Sequence, residues 1–350
     1  MPGETALVLA GAFSKGAFGA GALEVLAERG VPIRRIVATS AGALNAVVYA
    51  AGLRAGRARE AAADLAALWG EASWWSVFDP SLADVVRLRG LSNMDKLRRL
   101  LRRYTERWLP GEGRPIDLCL VLTATRGDPE TKRRERATSF ESVLTFDGSV
   151  FDDAGSRERL YRAALAAAAF PGLYAPVDVP DLGPCIDGGA VDNNPIGNAL
   201  EANPAIDRVV LVTHNPKLFT PPPFQGLRFG EHVVEIAANE RLYRDLREAA
   251  AVHTRLTELE ALRRRGVLDD AQLKAVRRAV GLAEARFIEI VEVRPEEPLP
   301  GSAVTGFFSR RLRGRFVEEG RRAARRALSP RAPEEIAAGP EESITPDGRR

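Results

Sequence analysis

Five short runs rich in branched apolar residues recur along the chain: Thr5 to Ala10, Ile33 to Thr39, Asp117 to Thr125, Asp207 to Thr213 and Arg286 to Val293. Most are separated by stretches with helical periodicity. Strands that are apolar without alternation are buried on both faces, and strands interleaved with helices are brought back parallel to one another. The pattern therefore predicts an α/β fold, a mainly parallel central sheet with helices on both faces. A length of 350 residues with 45% hydrophobic content supplies a sizeable core. One domain is expected over residues 1–328, its motif-bearing part about 5–200 and a helical part about 231–328.

Beyond residue 230 the helical pattern is plain. Leu242, Leu246, Ala249, Leu256, Leu259 and Leu262 recur at threes and fours, which predicts a long amphipathic helix over Glu235 to Arg265, ended by Gly266. A basic helix is expected over Ser309 to Leu328. Residues 329–350 hold four prolines and no aromatic residue and read as disordered.

The first strand runs into "GAFSKG", Gly11 to Gly16, and then into a helix. A glycine-rich turn at a helix N-terminus gathers backbone N–H groups and positive potential at one point, which suits an anion. The Rossmann spacing is absent, and Ala17 and Phe18 stand where a P-loop needs Lys and Ser/Thr. The remaining reading is an oxyanion hole, and it requires a nucleophile nearby.

The second strand ends in "ATSAG", with Ser40 between Ala38 and Gly42. That is nearly G-x-S-x-G, the nucleophile elbow, in which small residues on either side of a serine let backbones pass closely. An ordinary tight βα turn explains the same residues. Far downstream, "DGG" at Asp187 to Gly189 places a carboxylate before two glycines. Held by backbone N–H groups it would stay ionised and accept a serine proton. Taken alone, an aspartate in a turn is the simpler account.

Together and in this order, "GAFSKG", "ATSAG" and "DGG" resemble the patatin-like lipid acyl hydrolases, as do "SAGALNA", "AAFPGLYAPV" at Ala168 to Val177 and "DNNP" at Asp192 to Pro195. The likeness runs from about Thr5 to Leu200. It implies a three-layer α/β sandwich, Ser40 as nucleophile and Asp187 as its base, and an oxyanion hole from the backbone amides of Gly11, Ala12, Phe13 and Ser14. Lys15, Gly16, Ala38, Gly42, Gly188 and Gly189 would support these motifs. The implied reaction is hydrolysis of a fatty-acyl ester of a phospholipid or other glycerolipid, with no metal and no cofactor. Ala12 and Phe13 replace two loop glycines, which calls into question the backbone angles open to the loop. Phe13 is expected in the acyl pocket or the core, and Lys15 as a solvated or ion-paired side chain.

Two other readings stay open. Ser40, Asp187 and His214 fall in the order of an α/β-hydrolase triad, although a single strand precedes the elbow here. The altered loop also fits a lipid-binding protein that has lost turnover. His253 lies on the apolar stripe, and His232 in a loop-like segment.

A net charge of +3 with interspersed signs does not call for nucleic acid. Cys119 and Cys185, in apolar surroundings, read as buried thiols in a reducing compartment. No cleavable leader or membrane-spanning run is read, since Ile36 to Leu53 is better a strand, turn and helix. The expectation is a cytoplasmic protein touching membranes peripherally. "WWSVF", Trp74 to Phe78, would be a lid, an interfacial patch or core, and the arginines of Arg310 to Arg326 would attract anionic headgroups or form a solvated helix face. The oligomeric state is left open.

Overall fold

The computed structural model describes residues 3–87, 90–109, 111, 113–127, 139–200, 205–217 and 227–329, without the side chains of 227–235 and 238. The tail expected to be disordered lies outside these residues, apart from Ser329. In chain order the strands are β1 (Glu4–Leu9), β2 (Ile33–Ala38), β3 (Asp79–Pro80), β4 (Ser92–Asn93), β5 (Asp117–Ala124), β6 (Glu141–Asp147), β7 (Val177–Val179), β8 (Gly183–Asp187), β9 (Ile206–Val212) and β10 (Glu289–Val293). The five apolar runs are the five parallel strands, ordered β10-β9-β1-β2-β5. β6, β7 and β8 complete an eight-stranded sheet by antiparallel pairing, while β3 and β4 pair separately.

Side chains alternate across the parallel strands into two cores. Leu7, Leu9, Ile36 and Leu120 face one layer of helices. That layer includes α1 (Gly16–Glu28), α2 (Ser40–Arg54) and α3 (Ala58–Glu71). Ala6, Val8, Val37 and Val121 face the other side, where Leu242 of the helix Leu227–Arg264 and Ile196 of the helix Ile196–Leu200 cover them. Helices thus flank both faces. α2 is buried along nearly its whole length, as its run of alanine, valine and leucine requires.

The antiparallel additions create the feature that positions the site. β6 pairs with one edge of β5 over its whole length. On the opposite edge β2 pairs with Arg35 to Ala38 against Asp117 to Leu120, and β8 then pairs Asp187 with Leu122 and Cys185 with Ala124. β2 and β8 therefore share one edge of β5 and run toward each other. Their C-terminal ends meet opposite Val121.

The long helix starts at Leu227, earlier than its periodicity indicates, and ends before Gly266, whose φ is +70°. His232 consequently lies in this helix rather than in a loop, and its side chain is outside the described residues. The C-terminal helix Arg310–Ala327 packs across α1 at two glycines: a Cβ on Gly21 would fall 1.9 Å from Val317 O, and one on Gly320 2.0 Å from Phe18 O. Arg313 turns inward, donating to the carbonyls of Trp69, Gly70, Gly306 and Phe307. Arg321, Arg322, Arg325 and Arg326 pair with carboxylates of this chain. Most of this helix's positive charge is therefore internally engaged. Both cysteines are buried free thiols. Among the described residues no helix is long and apolar enough to cross a membrane.

Candidate active site

Ser40 is the first residue of α2 and has φ +51°, a left-handed conformation that costs a non-glycine residue about 1–2 kcal/mol. Its neighbours hold it there. Thr39 N–H donates to Leu9 O at 3.3 Å, and Thr39 Oγ1 reaches Val121 O at 3.4 Å. A Cβ on Gly42 would lie 2.3 Å from Leu9 O, so only glycine lets α2 sit this close to the end of β1. Ala38, in the other small position, is wholly buried, and its methyl fits. A strained serine on a strand-to-helix turn is the geometry of a nucleophile elbow.

Asp187 ends β8, where β8 meets β2. Its Oδ2 accepts from Ser40 Oγ at 2.6 Å and its Oδ1 from Gly189 N–H at 2.7 Å. Asp187 N–H donates to Ala169 O, and Asp187 O accepts from Thr123 Oγ1. Gly188 is required by contact, because a Cβ there would fall 2.1 Å from Val121 O. Burial pushes the carboxyl up to about 6, against the two hydrogen bonds that favour its charged form. At neutral pH it is still mostly ionised, which is the state a proton acceptor needs.

The loop after β1 passes through a left-handed residue without the missing glycines. Phe13 adopts φ +47° itself, so the side chain does not bar that conformation. Its ring packs edge-on against Phe170, centroids 4.5 Å apart, and also lines the cavity beside Ser40. Gly11 N–H is engaged by Asn193 O and Ser14 N–H by Ala303 O. Among the described residues the N–H groups of Ala12 and Phe13 have no acceptor. Asn193 Nδ2 also donates to Gly11 O, so this one residue clamps the glycine loop to the turn that carries Asp187. Lys15, expected to be solvated or ion-paired, is buried and so not solvated.

Ser40 and Asp187 open onto an apolar cavity of about 760 Å³, its open mouth included, lined by Phe13, Leu44, Val48, Leu65, Phe78 and Leu100 among others. Asn45, in its lining, donates to Gly16 O and accepts from Trp69 Nε1. In "WWSVF", Phe78 is buried in the cavity wall, Trp74 packs on it, and Trp75 is exposed. The segment is both wall and surface.

The sequence profile of the patatin-like phospholipases matches residues 7–200, which include the elbow, the loop and the aspartate turn. The chain belongs to the patatin-like phospholipase family. No curated protein sequence matches it. Among solved structures it is similar to VipD from Legionella pneumophila, at 14% identity and a TM-score of 0.38, covering 93% of this chain and 66% of that one. It is also similar to ExoU of Pseudomonas aeruginosa, solved in complex with SpcU, at 17% identity and a TM-score of 0.34, covering 69% and 50%. The chain thus spans half to two thirds of the length of these proteins.

Two histidines of this patatin-like chain, His214 and His253, stand apart from the Ser40–Asp187 pair. His214 lines a separate small cavity with Lys15, Gly16, Gly42 and Asn45. Loss of hydration, and then the Lys15 charge, push its imidazole down to about 3. Both Asp187 oxygens are occupied by Ser40 and Gly189, so the aspartate holds no histidine. His253 accepts the Ile288 N–H through Nε2 and ties the long helix to the segment entering β10.

Several supporting residues escape sequence reasoning because their partners are remote. Arg241, on the long helix, donates to Val191 O at 2.8 Å and pairs with Asp192 at 3.2 Å and Glu141 at 2.6 Å, bracing the aspartate turn from behind. Burial, opposed by Arg241, holds the Asp192 carboxyl up at about 7. "DNNP" was legible as a motif. The clamp made by Asn193 and the brace made by Arg241 were not.

Proposed function

We propose that the protein is a serine lipid acyl hydrolase that cleaves fatty-acyl esters of phospholipids or related glycerolipids through Ser40 and Asp187. The observation that carries this reading is the strained Ser40, its Oγ 2.6 Å from a buried carboxylate at the head of an apolar cavity. Ser40 Oγ attacks the ester carbonyl carbon as its proton passes to Asp187 Oδ2. The carbonyl oxygen gains the negative charge, and the free N–H groups of Ala12 and Phe13 are the donors we assign to it. Gly11 and Ser14, whose amides are bound elsewhere, drop out of the set expected from the motif. Ala41 N–H, at the uncapped N-terminus of α2, adds a third donor and the favourable end of the helix dipole.

As the tetrahedral species collapses, the C–O bond to the alcohol breaks and Asp187 returns the proton to the leaving alkoxide. The acyl group remains on Ser40. Water then attacks with Asp187 again as base, releasing the fatty acid and restoring the serine. The apolar cavity supports a fatty chain as the acyl part.

The test is hydrolysis of a medium-chain p-nitrophenyl ester by the wild type and by Ser40→Ala, Asp187→Asn and His214→Ala. Loss of at least about a thousandfold in the first two, with His214→Ala within severalfold of wild type, is expected. Equal loss in all three variants, each shown to be folded, would replace the dyad with a triad. An inactive wild type would leave a lipid-binding protein.

A further inference from the structure

The geometry points to a lipid bilayer as the partner of one face of the protein, the exposed apolar rim of the Ser40 cavity together with the arginines beside it. The inference rests on the acyl-ester reading only for its purpose, not for its residues. Trp75, Leu82, Val86, Leu91 and Phe308 are 75%, 78%, 73%, 59% and 66% exposed, and all lie on segments that form or adjoin the cavity wall. Phe78, which lines the cavity, packs against Trp74 at 3.9 Å and Tyr174 at 5.5 Å, and Trp74 stacks on Phe308 at 5.0 Å. Ser81 N–H donates to Leu91 O and Leu91 N–H to Leu173 O, which ties the 81–91 excursion beside Tyr174. The exposed side chains therefore neighbour residues that do line the cavity: Trp75 precedes Val77 and Phe78 by two and three positions, Phe308 follows Phe307, and Leu91 is tied to the residue before Tyr174. Scattered exposed apolar residues are ordinary, but a group on the segments beside an apolar cavity marks an interaction site.

Charge selects the partner. Arg310 and Arg311 lie two and three residues after Phe308 and are exposed, with no carboxylate partner among the described residues, whereas Arg321, Arg322, Arg325 and Arg326 on the same helix are paired within the chain. Arg87 ends the helix that carries Leu82 and Val86 and is likewise exposed. Tryptophan and phenylalanine beside free arginines suit the boundary of an anionic membrane, with rings at headgroup depth and guanidinium groups on lipid phosphates. Seated this way, the mouth of the cavity faces the bilayer, and an acyl chain enters without crossing water.

The experiment is co-sedimentation of the full chain with vesicles of phosphatidylcholine alone or mixed equally with phosphatidylglycerol. Ser40→Ala is used throughout so that binding is read without turnover. Tighter binding to the mixed vesicles is expected, weakened by salt. Trp75→Ala with Phe308→Ala should lower it more than tenfold on both vesicles, and Arg310→Glu with Arg311→Glu more than tenfold on the mixed vesicles only, since each basic residue near an anionic surface is worth about fivefold. On an otherwise wild-type background, both double variants should retain hydrolysis of soluble p-nitrophenyl butyrate. Vesicle binding unchanged in both pairs would overturn the proposal. So would a concentration-dependent dimer dissolved by Trp75→Ala with Phe308→Ala, which would assign the face to a second copy of the chain. An inactive wild type that still binds vesicles through these residues would refute the hydrolase reading and leave this one standing.

Discussion

Ser40 and Asp187 lie 147 residues apart in sequence and 2.6 Å apart in space, at the point where β2 and β8, running toward each other on one edge of β5, both end. Neither residue depends on a flexible loop for its placement. The pair is as fixed as the sheet.

The pH profile follows from this burial. As the proposed base Asp187 must be ionised to take the serine proton, and burial pushes its carboxyl up to about 6. kcat/KM on a soluble ester should therefore rise with unit slope through about pH 6 and level off above it. A limb set by a histidine is not expected, because His214 stays neutral throughout this range. A pH–rate profile identical in Asp187→Asn would contradict the assignment.

The same shift has the opposite effect on stability. A carboxyl raised in the folded state binds its proton more tightly there than when unfolded, so its contribution to stability is full below pH 4 and is lost as pH rises through 6. The shift from 3.8 to about 6 corresponds to on the order of 3 kcal/mol. Asp187→Asn should thus be inactive yet more stable than wild type at pH 8, with the gap closing toward pH 4, as thermal unfolding would read.

At Gly42 the contact is with backbone, which has little room to yield. Gly42→Ala puts a Cβ 2.3 Å from Leu9 O and should cost about 2–3 kcal/mol in urea unfolding, with activity reduced as the elbow shifts. Ala38→Gly should cost under about 1 kcal/mol and spare activity.

Arg313 serves four carbonyls from the interior. Arg313→Ala strands them and should destabilise by about 3 kcal/mol. Arg313→Lys should recover little, since one ammonium cannot reproduce the planar fork. Full recovery by lysine in denaturant unfolding would mean that charge alone matters there.

An acyl chain on Ser40, under the proposed function, would be measured along α2. Val48 lines the cavity two turns beyond Ser40, about 12 Å along the helix at 1.5 Å per residue. Val48→Phe should lower kcat/KM for a p-nitrophenyl decanoate at least about tenfold and leave the butyrate within about twofold. Equal loss on both esters would place the acyl chain elsewhere.

Legibility in the sequence tracked burial and locality. The five parallel strands stood out because both faces are covered and their residues are continuously apolar. β6 buries only Ser142, and β8 opens with Gly183 and Pro184, so neither makes a continuous apolar run. Ser40, Asp187 and the glycine loop were visible because each motif is local, a few residues around a turn. Asn193, Arg241 and Arg313 act on carbonyls tens or hundreds of positions away, and no local pattern marks them. Phe13 shows a third case: its type argued against the backbone angle it adopts, and packing against Phe170 holds it there.

The meeting of β2 and β8 on one edge of β5 divides the chain between tasks. The reacting atoms hang from strand ends, while α3, the tryptophan segment and the helix Asp95–Glu106 that wall the cavity come from the excursion between β2 and β5. The part of that excursion beyond α2 can lengthen, shorten or change character without shifting Ser40 relative to Asp187. Such a scaffold is open to retooling for new lipids by editing a single insert, with its chemistry inherited intact.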